Sequence, residues 1–235
     1  MQISPVHCRY ILLLPHLNMR VLHISCFHKK SVLLVLGKYF SVLGGYKIVG
    51  LVSTAQHLNQ LAVVRDFLES KGLQAFIGGQ VLGCNQNNAL KIEKKVDVFL
   101  YIGSGLFHPI GISAKTEKPV LMLNPYSGVL ERLPEVEKER WLKRQKGRLA
   151  KAIEAQVYGI LVSTKDGQFN RERAFELKKK FESDGKRAFL FAGEELNPAN
   201  LLPFKVDCWV NTACPRLVDD EFSKPVVNAE ELDLV

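Results

Sequence analysis

The sequence predicts an α/β protein made of tandem, repeated parallel-sheet (doubly wound) modules, two complete and preceded by an N-terminal remnant. Two observations carry that prediction. Short runs rich in Val, Ile and Leu lack polar alternation, as strands buried on both faces do. The same runs also recur at one fixed spacing: "GLVST" (Gly50 to Thr54) returns as "ILVST" (Ile160 to Thr164), and "VDVFLYIGSG" (Val96 to Gly105) returns as "VDCWVNTACP" (Val206 to Pro215), both 110 residues later.

Taken in order, residues 1–46 hold an apolar segment and "SVLLVLGKYFSVLGG", too few elements for a complete module, and are read as the remnant of a first domain. Residues 47–130 form the second module. Between its repeated strands lies the helical stretch "LAVVRDFLESKG", closed by Gly72 as a C-cap, and "KPVLMLNPYSG" (Lys118 to Gly128) adds a strand and turn. Residues 131–156 read as a linking helix in which Leu142, Leu149 and Ile153 share one face. Acids and bases are mixed along it, so it reads as a solvated face and not as a nucleic-acid arm. Residues 157–235 form the third module, with the helix "RERAFELKKKFESDG" capped by Gly185 and a final "KPVVNAEEL" (Lys224 to Leu232).

The chain has 235 residues, 47% hydrophobic and 24% charged, and a formal charge of +8. That charge is either dispersed over the surface or turned toward an acidic partner. Arg20, Lys29, Lys30 and Lys38 break the apolar N-terminal region, so no uncharged run approaches the roughly 20 residues that span a bilayer. "YILLLPHL" is followed by no small-residue cleavage pattern, and a cytoplasmic protein without membrane contact is expected. Five cysteines without a CxxC pair argue against a disulfide framework and against a local zinc knuckle.

In doubly wound sheets ligands gather beyond the carboxyl ends of strands, which singles out three loops. "GGQVLGCNQNNA" (Gly78 to Ala89) crowds glycines, Cys84 and amides into one turn. "YIGSGLFHPIG" (Tyr101 to Gly111) carries Gly103-Ser104-Gly105, expected to leave backbone N–H groups free for an anion, followed by Phe107 and His108. "VNTACPRL" (Val210 to Leu217) puts Cys214 where an apolar run ends, before Pro215 and Arg216. Proline cannot extend the strand, so Cys214 belongs to a loop. Cys84 and Cys214 are either small packed hydrophobes or thiolates facing a cleft; Cys8, Cys26 and Cys208 read as the former, with Cys208 on a strand face shared with Val206 and Val210. His57 and His108 read as helix-start or core residues as readily as functional ones.

Together, "GLVSTAQHLNQL", "GGQVLGCNQNNA", "YIGSGLFHPIG", "ILVSTKDGQFN" and "VNTACPRLVDD" resemble, in the same order, segments of the archaeal-type diphthamide synthases, the 2-(3-amino-3-carboxypropyl)histidine synthases. The resemblance covers about residues 19–235. It implies three related α/β domains, a dimer with itself or a related subunit, and a 4Fe-4S cluster held by one cysteine per domain, with Cys84 and Cys214 as the second and third ligands. It further implies S-adenosylmethionine as cosubstrate, cleaved to a 3-amino-3-carboxypropyl radical that adds to a histidine of translation elongation factor two. Gln168 and Arg216 are candidates to hold the amino-acid portion of S-adenosylmethionine, Arg216 through a fork suited to a carboxylate. No direct contact with nucleic acid is implied. Val6 and His7 match the strand that follows the family's first cluster cysteine, so that cysteine is expected ahead of Met1. An alternative reading is a non-catalytic relative that binds a partner subunit or the elongation factor without a complete cluster site of its own.

Overall fold

The computed structural model describes residues 26–234 apart from Asp166, so the expectations placed on Cys8 and on the opening strand lie outside the described residues. The described helices are α1 (Leu33–Lys38), α2 (Leu61–Ser70), α3 (Asn87–Leu90), α4 (Phe107–Lys115), α5 (Glu135–Glu154), α6 (Arg171–Ser183) and α7 (Pro198–Leu201). The strands are β1 (Ile48–Ser53), β2 (Gln74–Gln80), β3 (Val98–Ile102), β4 (Val120–Asn124), β5 (Val129–Arg132), β6 (Val157–Ser163), β7 (Arg187–Gly193), β8 (Cys208–Asn211) and β9 (Val226–Asn228). They form two sheets, ordered β2-β1-β3-β4-β5 and β7-β6-β8-β9. All pairings are parallel except β4 with β5.

Each sheet thus places its first strand between its second and third. The chain reverses its direction of winding between β1 and β3, and again between β6 and β8, the positions where doubly wound sheets open a crevice at the carboxyl ends. The fixed spacing seen in the sequence is the spacing of these two sheets.

The strands are apolar on both sides because both faces are covered. In the first sheet Leu51, Leu100 and Leu121 pack with Val64 and Leu68 of α2, while Phe99, Tyr101 and Met122 pack with Ile112 of α4. In the second, Ile160 and Val210 pack with Ala174 and Leu177 of α6, and Leu161 and Trp209 with Leu201 of α7. Burial of each such Leu or Ile stabilises by roughly 1.5–3 kcal/mol. Cys208 is fully buried with Val210, as expected, but Val206 precedes the strand and joins the opposite core layer. Gly72 and Gly185 end α2 and α6 at φ of 84° and 75°, and the next residues, Leu73 and Lys186, donate back to Leu68 O (3.0 Å) and Phe181 O (2.9 Å).

Residues read from the sequence as a first-domain remnant pack in the core layer of the first sheet. Val32, Leu36 and Leu43 are buried in the same layer as β1 and β3, and Val32 N–H donates to Gln60 Oε1 at 3.0 Å. They stand ahead of β1 as Ala152 and Ala155 stand ahead of β6. The linking segment differs from expectation at two points. It opens with the edge strand β5, whose Leu130 is buried opposite Leu123, and Pro134 starts the helix only afterwards. Within α5, Ile153 is 47% exposed and Ala152 is the buried residue. Leu142 and Leu149 are half-buried, as are Trp141, Gln145 and Arg148, because α5 packs against α4 and β9 together and takes a partly polar stripe between them.

Candidate metal and cofactor site

Cys84 lies past the end of β2 on the tight turn Leu82–Asn85. Leu82 N–H donates to Asn85 O (2.9 Å) and Asn85 N–H to Leu82 O (3.1 Å). Gln86, fully buried, holds the turn from inside, its Nε2 donating to Leu82 O (2.5 Å) and Gly83 O (2.6 Å). Asn85 Oδ1 accepts from Asn87 N–H (3.0 Å), and Asn88 Nδ2 donates to Gln80 O (2.7 Å). The amides that crowd this loop therefore serve its own backbone. The turn is also moulded to α4. A Cβ on Gly83 would lie 2.1 Å from the Phe107 ring, and one on Gly111 would lie 2.4 Å from Gln86 Nε2.

Cys214 is held differently. It is the N-cap of a 3-10 turn, Pro215–Asp219, beyond β8. Its carbonyl accepts from Asn211 Nδ2 (2.9 Å) and Leu217 N–H (2.9 Å). Asn211 Oδ1 accepts from Ala213 N–H (2.9 Å), and its amide also donates to Asn228 Oδ1 (2.8 Å). Asn228 in turn donates to Pro215 O (3.3 Å), and Glu231, which accepts from Gln145 Nε2 (3.0 Å), accepts from Asn228 N–H (3.3 Å). Asn211, Asn228 and Glu231 are each more than 90% buried. Sequence reasoning missed this network; its signal was an Asn ending each of two apolar strands.

Both cysteines are exposed and free of disulfides. Partial desolvation pushes the Cys84 thiol up, and the nearby Cys214 pushes it further, so the two turns, from different sheets, share one electrostatic environment. Phe107 links them: Gly83 lies on its ring, and the Arg216 guanidinium sits 5.7 Å from its centroid. Beside it, burial and the charge of Arg216 hold the His108 imidazole below its usual range, and His108 Nδ1 is buried without a partner among the described residues. Gln168 is half-buried on the turn after β6, at the carboxyl end next to that of β8, which leads to Cys214. Arg216 is exposed, with Phe107, His108 and Asp219 around it.

In the Gly103–Gly105 turn, expected to leave N–H groups free for an anion, the first N–H is engaged. Gly103 N–H donates to Leu123 O (3.1 Å), and Ser104 O accepts from the Tyr101 hydroxyl (3.3 Å). His57 is buried, its imidazole held below its usual range by burial and by His28, with Tyr126 edge-on at 5.8 Å.

Two convergent thiols are the right donors for an iron–sulfur cluster, whose irons take Cys thiolates. Among the described residues no group of three His, Cys, Asp or Glu side chains is placed to hold a metal ion. No helix among the described residues is long and apolar enough to cross a membrane.

A 2-(3-amino-3-carboxypropyl)histidine synthase of Pyrococcus horikoshii is 34% identical over 203 residues, 81% of this chain and 57% of that protein. Subunit 1 of the human 2-(3-amino-3-carboxypropyl)histidine synthase is 28% identical over 195 residues, 78% of this chain and 43% of that protein. The crystal structure of Dph2 from Pyrococcus horikoshii with a 4Fe-4S cluster matches with a TM-score of 0.78 at 32% identity, covering 88% of this chain and 63% of that one. The chain therefore spans less than two thirds of the length of these relatives. The diphthamide synthesis protein family matches residues 6–235, and the chain belongs to that family.

Proposed function

We propose that this chain carries the second and third modules of a 2-(3-amino-3-carboxypropyl)histidine synthase acting in the first step of diphthamide biosynthesis. The reaction transfers a 3-amino-3-carboxypropyl group from S-adenosylmethionine to a histidine of translation elongation factor two. The observation that carries the reading is the placing of Cys84 and Cys214, exposed thiols on turns beyond two different sheets, about one ring: a Cβ on Gly83 would lie 2.1 Å from Phe107, and the Arg216 guanidinium sits 5.7 Å from its centroid. A relative with the same fold holds a 4Fe-4S cluster, and its presence there supports Cys84 and Cys214 as two thiolate ligands here.

When bound, such a cluster supplies an open iron for the methionine part of S-adenosylmethionine and the electron that opens its carbon–sulfur bond. The chain's own residues orient and confine. Arg216, held at the Phe107 ring two residues from Cys214, is the proposed partner of the cosubstrate carboxylate. Gln168, at the adjacent strand end, is the proposed partner of its amino-acid backbone. His108, its charged form disfavoured by burial and by Arg216, keeps a neutral wall beside them. The third thiolate comes from a companion module or subunit, and the working protein is a cytoplasmic dimer with itself or a related subunit.

The test is transfer from labelled S-adenosylmethionine to the elongation factor under anaerobic, reducing conditions, in the assembly that contains this chain. Loss of transfer in both Cys84→Ala and Cys214→Ala is expected. Transfer unaffected by either substitution favours the second reading, a non-catalytic partner of the same family.

A further inference from the structure

The strands that end the two sheets are β2 and β5 in the first and β7 and β9 in the second. β5 and β9 are four and three residues long, and β2 shifts its register with β1 between Leu51 and Val52, so each is blunted as an edge. β7 is not. Its seven residues run beside β6 without a shift, from Arg187 opposite Val157 to Gly193 opposite Ser163. Arg187 N–H donates to Gln156 O (2.9 Å) and Gly193 O accepts from Thr164 N–H (3.0 Å), so the odd-numbered residues of β7 bond inward. Ala188, Leu190 and Ala192 therefore turn their N–H and C=O groups away from β6, where no strand among the described residues pairs with them.

The edge is also apolar and oppositely charged at its two ends. Phe189, 45% exposed, and the half-buried Phe191 share one face of the strand. Lys186 and Arg187 stand ahead of the uncharged run 188–193, and Glu194 and Glu195 follow it. Arg187, Glu194 and Glu195 form no ion pair among the described residues. Turned end for end, the segment complements itself.

We propose that β7 is a self-association edge, pairing antiparallel with β7 of a second copy of this chain about a twofold axis at Leu190. Only a register that sets outward-facing residues against outward-facing residues can bond, and this one sets Ala188 against Ala192 and Leu190 against itself, for about six main-chain hydrogen bonds. It also sets Phe189 against Phe191 of the second copy, an aromatic pair that covers the exposed ring. At the ends Lys186 meets Glu194 of the second copy. Arg187 lies opposite a glycine, Gly193, and reaches diagonally to Glu195. The pairing gives a surface to the dimer named above and does not depend on the cluster reading.

Sedimentation of the 235-residue chain in about 0.15 M salt is expected to show a monomer–dimer equilibrium with a dissociation constant of about 1–100 μM. Arg187→Glu and Glu195→Arg, both at exposed positions, each set like charges together twice per dimer and are expected to weaken it about tenfold. Combined in one chain, the two are expected to restore it, which a merely structural role would not do. Hydrogen–deuterium exchange supplies a readout without variants: the peptide covering β7 should exchange more slowly as concentration rises through the same range. A chain that stays monomeric to about 100 μM overturns the proposal and leaves pairing with a related subunit standing. A dimer indifferent to both single substitutions, a combination that fails to restore it, or β7 exchange that ignores concentration overturns this surface while leaving the dimer itself.

Discussion

The two cysteine-bearing turns solve one problem by opposite means. The Cys84 turn is shaped by absence: Gly83 and Gly111 lack side chains, so Phe107 and Gln86 close directly onto backbone. The Cys214 turn is shaped by presence, through buried amides and a carboxylate that run from Asn211 to Asn228, Glu231 and α5. The modules are also not copies at the site. At the repeat spacing, Cys214 corresponds to Ser104, and the loop after β7 that corresponds to the Cys84 turn carries Glu194 and Glu195. A duplicated sheet has thus kept its strand order while each copy placed its thiol on a different loop, as expected if the requirement is that the thiols meet in space.

The contrast predicts which change breaks which turn. Gly83→Ala puts a methyl group inside the Phe107 ring, and overpacking of this kind costs about 3 kcal/mol. Denaturant unfolding should show that loss. Alkylation followed by mass spectrometry should show altered reactivity at Cys84 with little change at Cys214.

Asn228→Ala should do the reverse. It leaves the Asn211 amide and the Pro215 carbonyl short of partners in a buried setting, a cost of about 2 kcal/mol, with the reactivity change confined to Cys214. If both variants perturb both thiols equally, the two turns are one mechanical unit and the comparison fails.

Coupling between the turns has its own test. Desolvation pushes the Cys84 thiol up, a backbone hydrogen bond offsets part of that, and Cys214 is the second cause that raises it. Cys214→Ala removes the second cause, so the alkylation profile of Cys84 in the cluster-free chain should move to lower pH. An unmoved profile would place the thiols out of each other's reach.

The smallest effect belongs to a feature the modules share. Asp97 accepts from Lys47 and Ile48 N–H, both at 2.9 Å, and Asp207 accepts from Gln156 (3.1 Å) and Val157 (2.9 Å) in the corresponding place. Those backbone bonds hold the Asp97 carboxyl below its ordinary 3.8. A depressed carboxyl contributes stability that is complete above 3.8 and lost as pH falls through its folded value. Asp97→Asn should therefore lower thermal stability slightly at neutral pH and flatten the acid limb of the melting curve.

Much of this was legible in the sequence because it depends on local pattern. Strand runs buried on both faces, the glycines that end α2 and α6, and the placing of Cys84 and Cys214 after strands each follow from residue type and order. What stayed hidden depends on partners distant in the chain. Leu36 and Leu43 look like the end of something earlier until β1 and β3 are seen beneath them. β5 is four residues long and ends in Glu131 and Arg132, so only its pairing with β4 marks it as a strand. The face that α5 buries is set by two neighbours at once, which is why Ala152 and not Ile153 lies inward. Gly103 reads as a free anion-binding N–H until Leu123 is found accepting from it.

The central claim is that Cys84 and Cys214 hold one cluster together. It is tested most directly by anaerobic reconstitution, with iron and sulfide, of the assembly that contains this chain, followed by iron counting and electron paramagnetic resonance on the unsubstituted protein and on Cys84→Ala and Cys214→Ala. The account predicts a cluster of about four irons that each substitution alone abolishes. Iron–sulfur signals that survive both substitutions, or no cluster in the unsubstituted chain within an assembly that supplies a third thiolate, would contradict it.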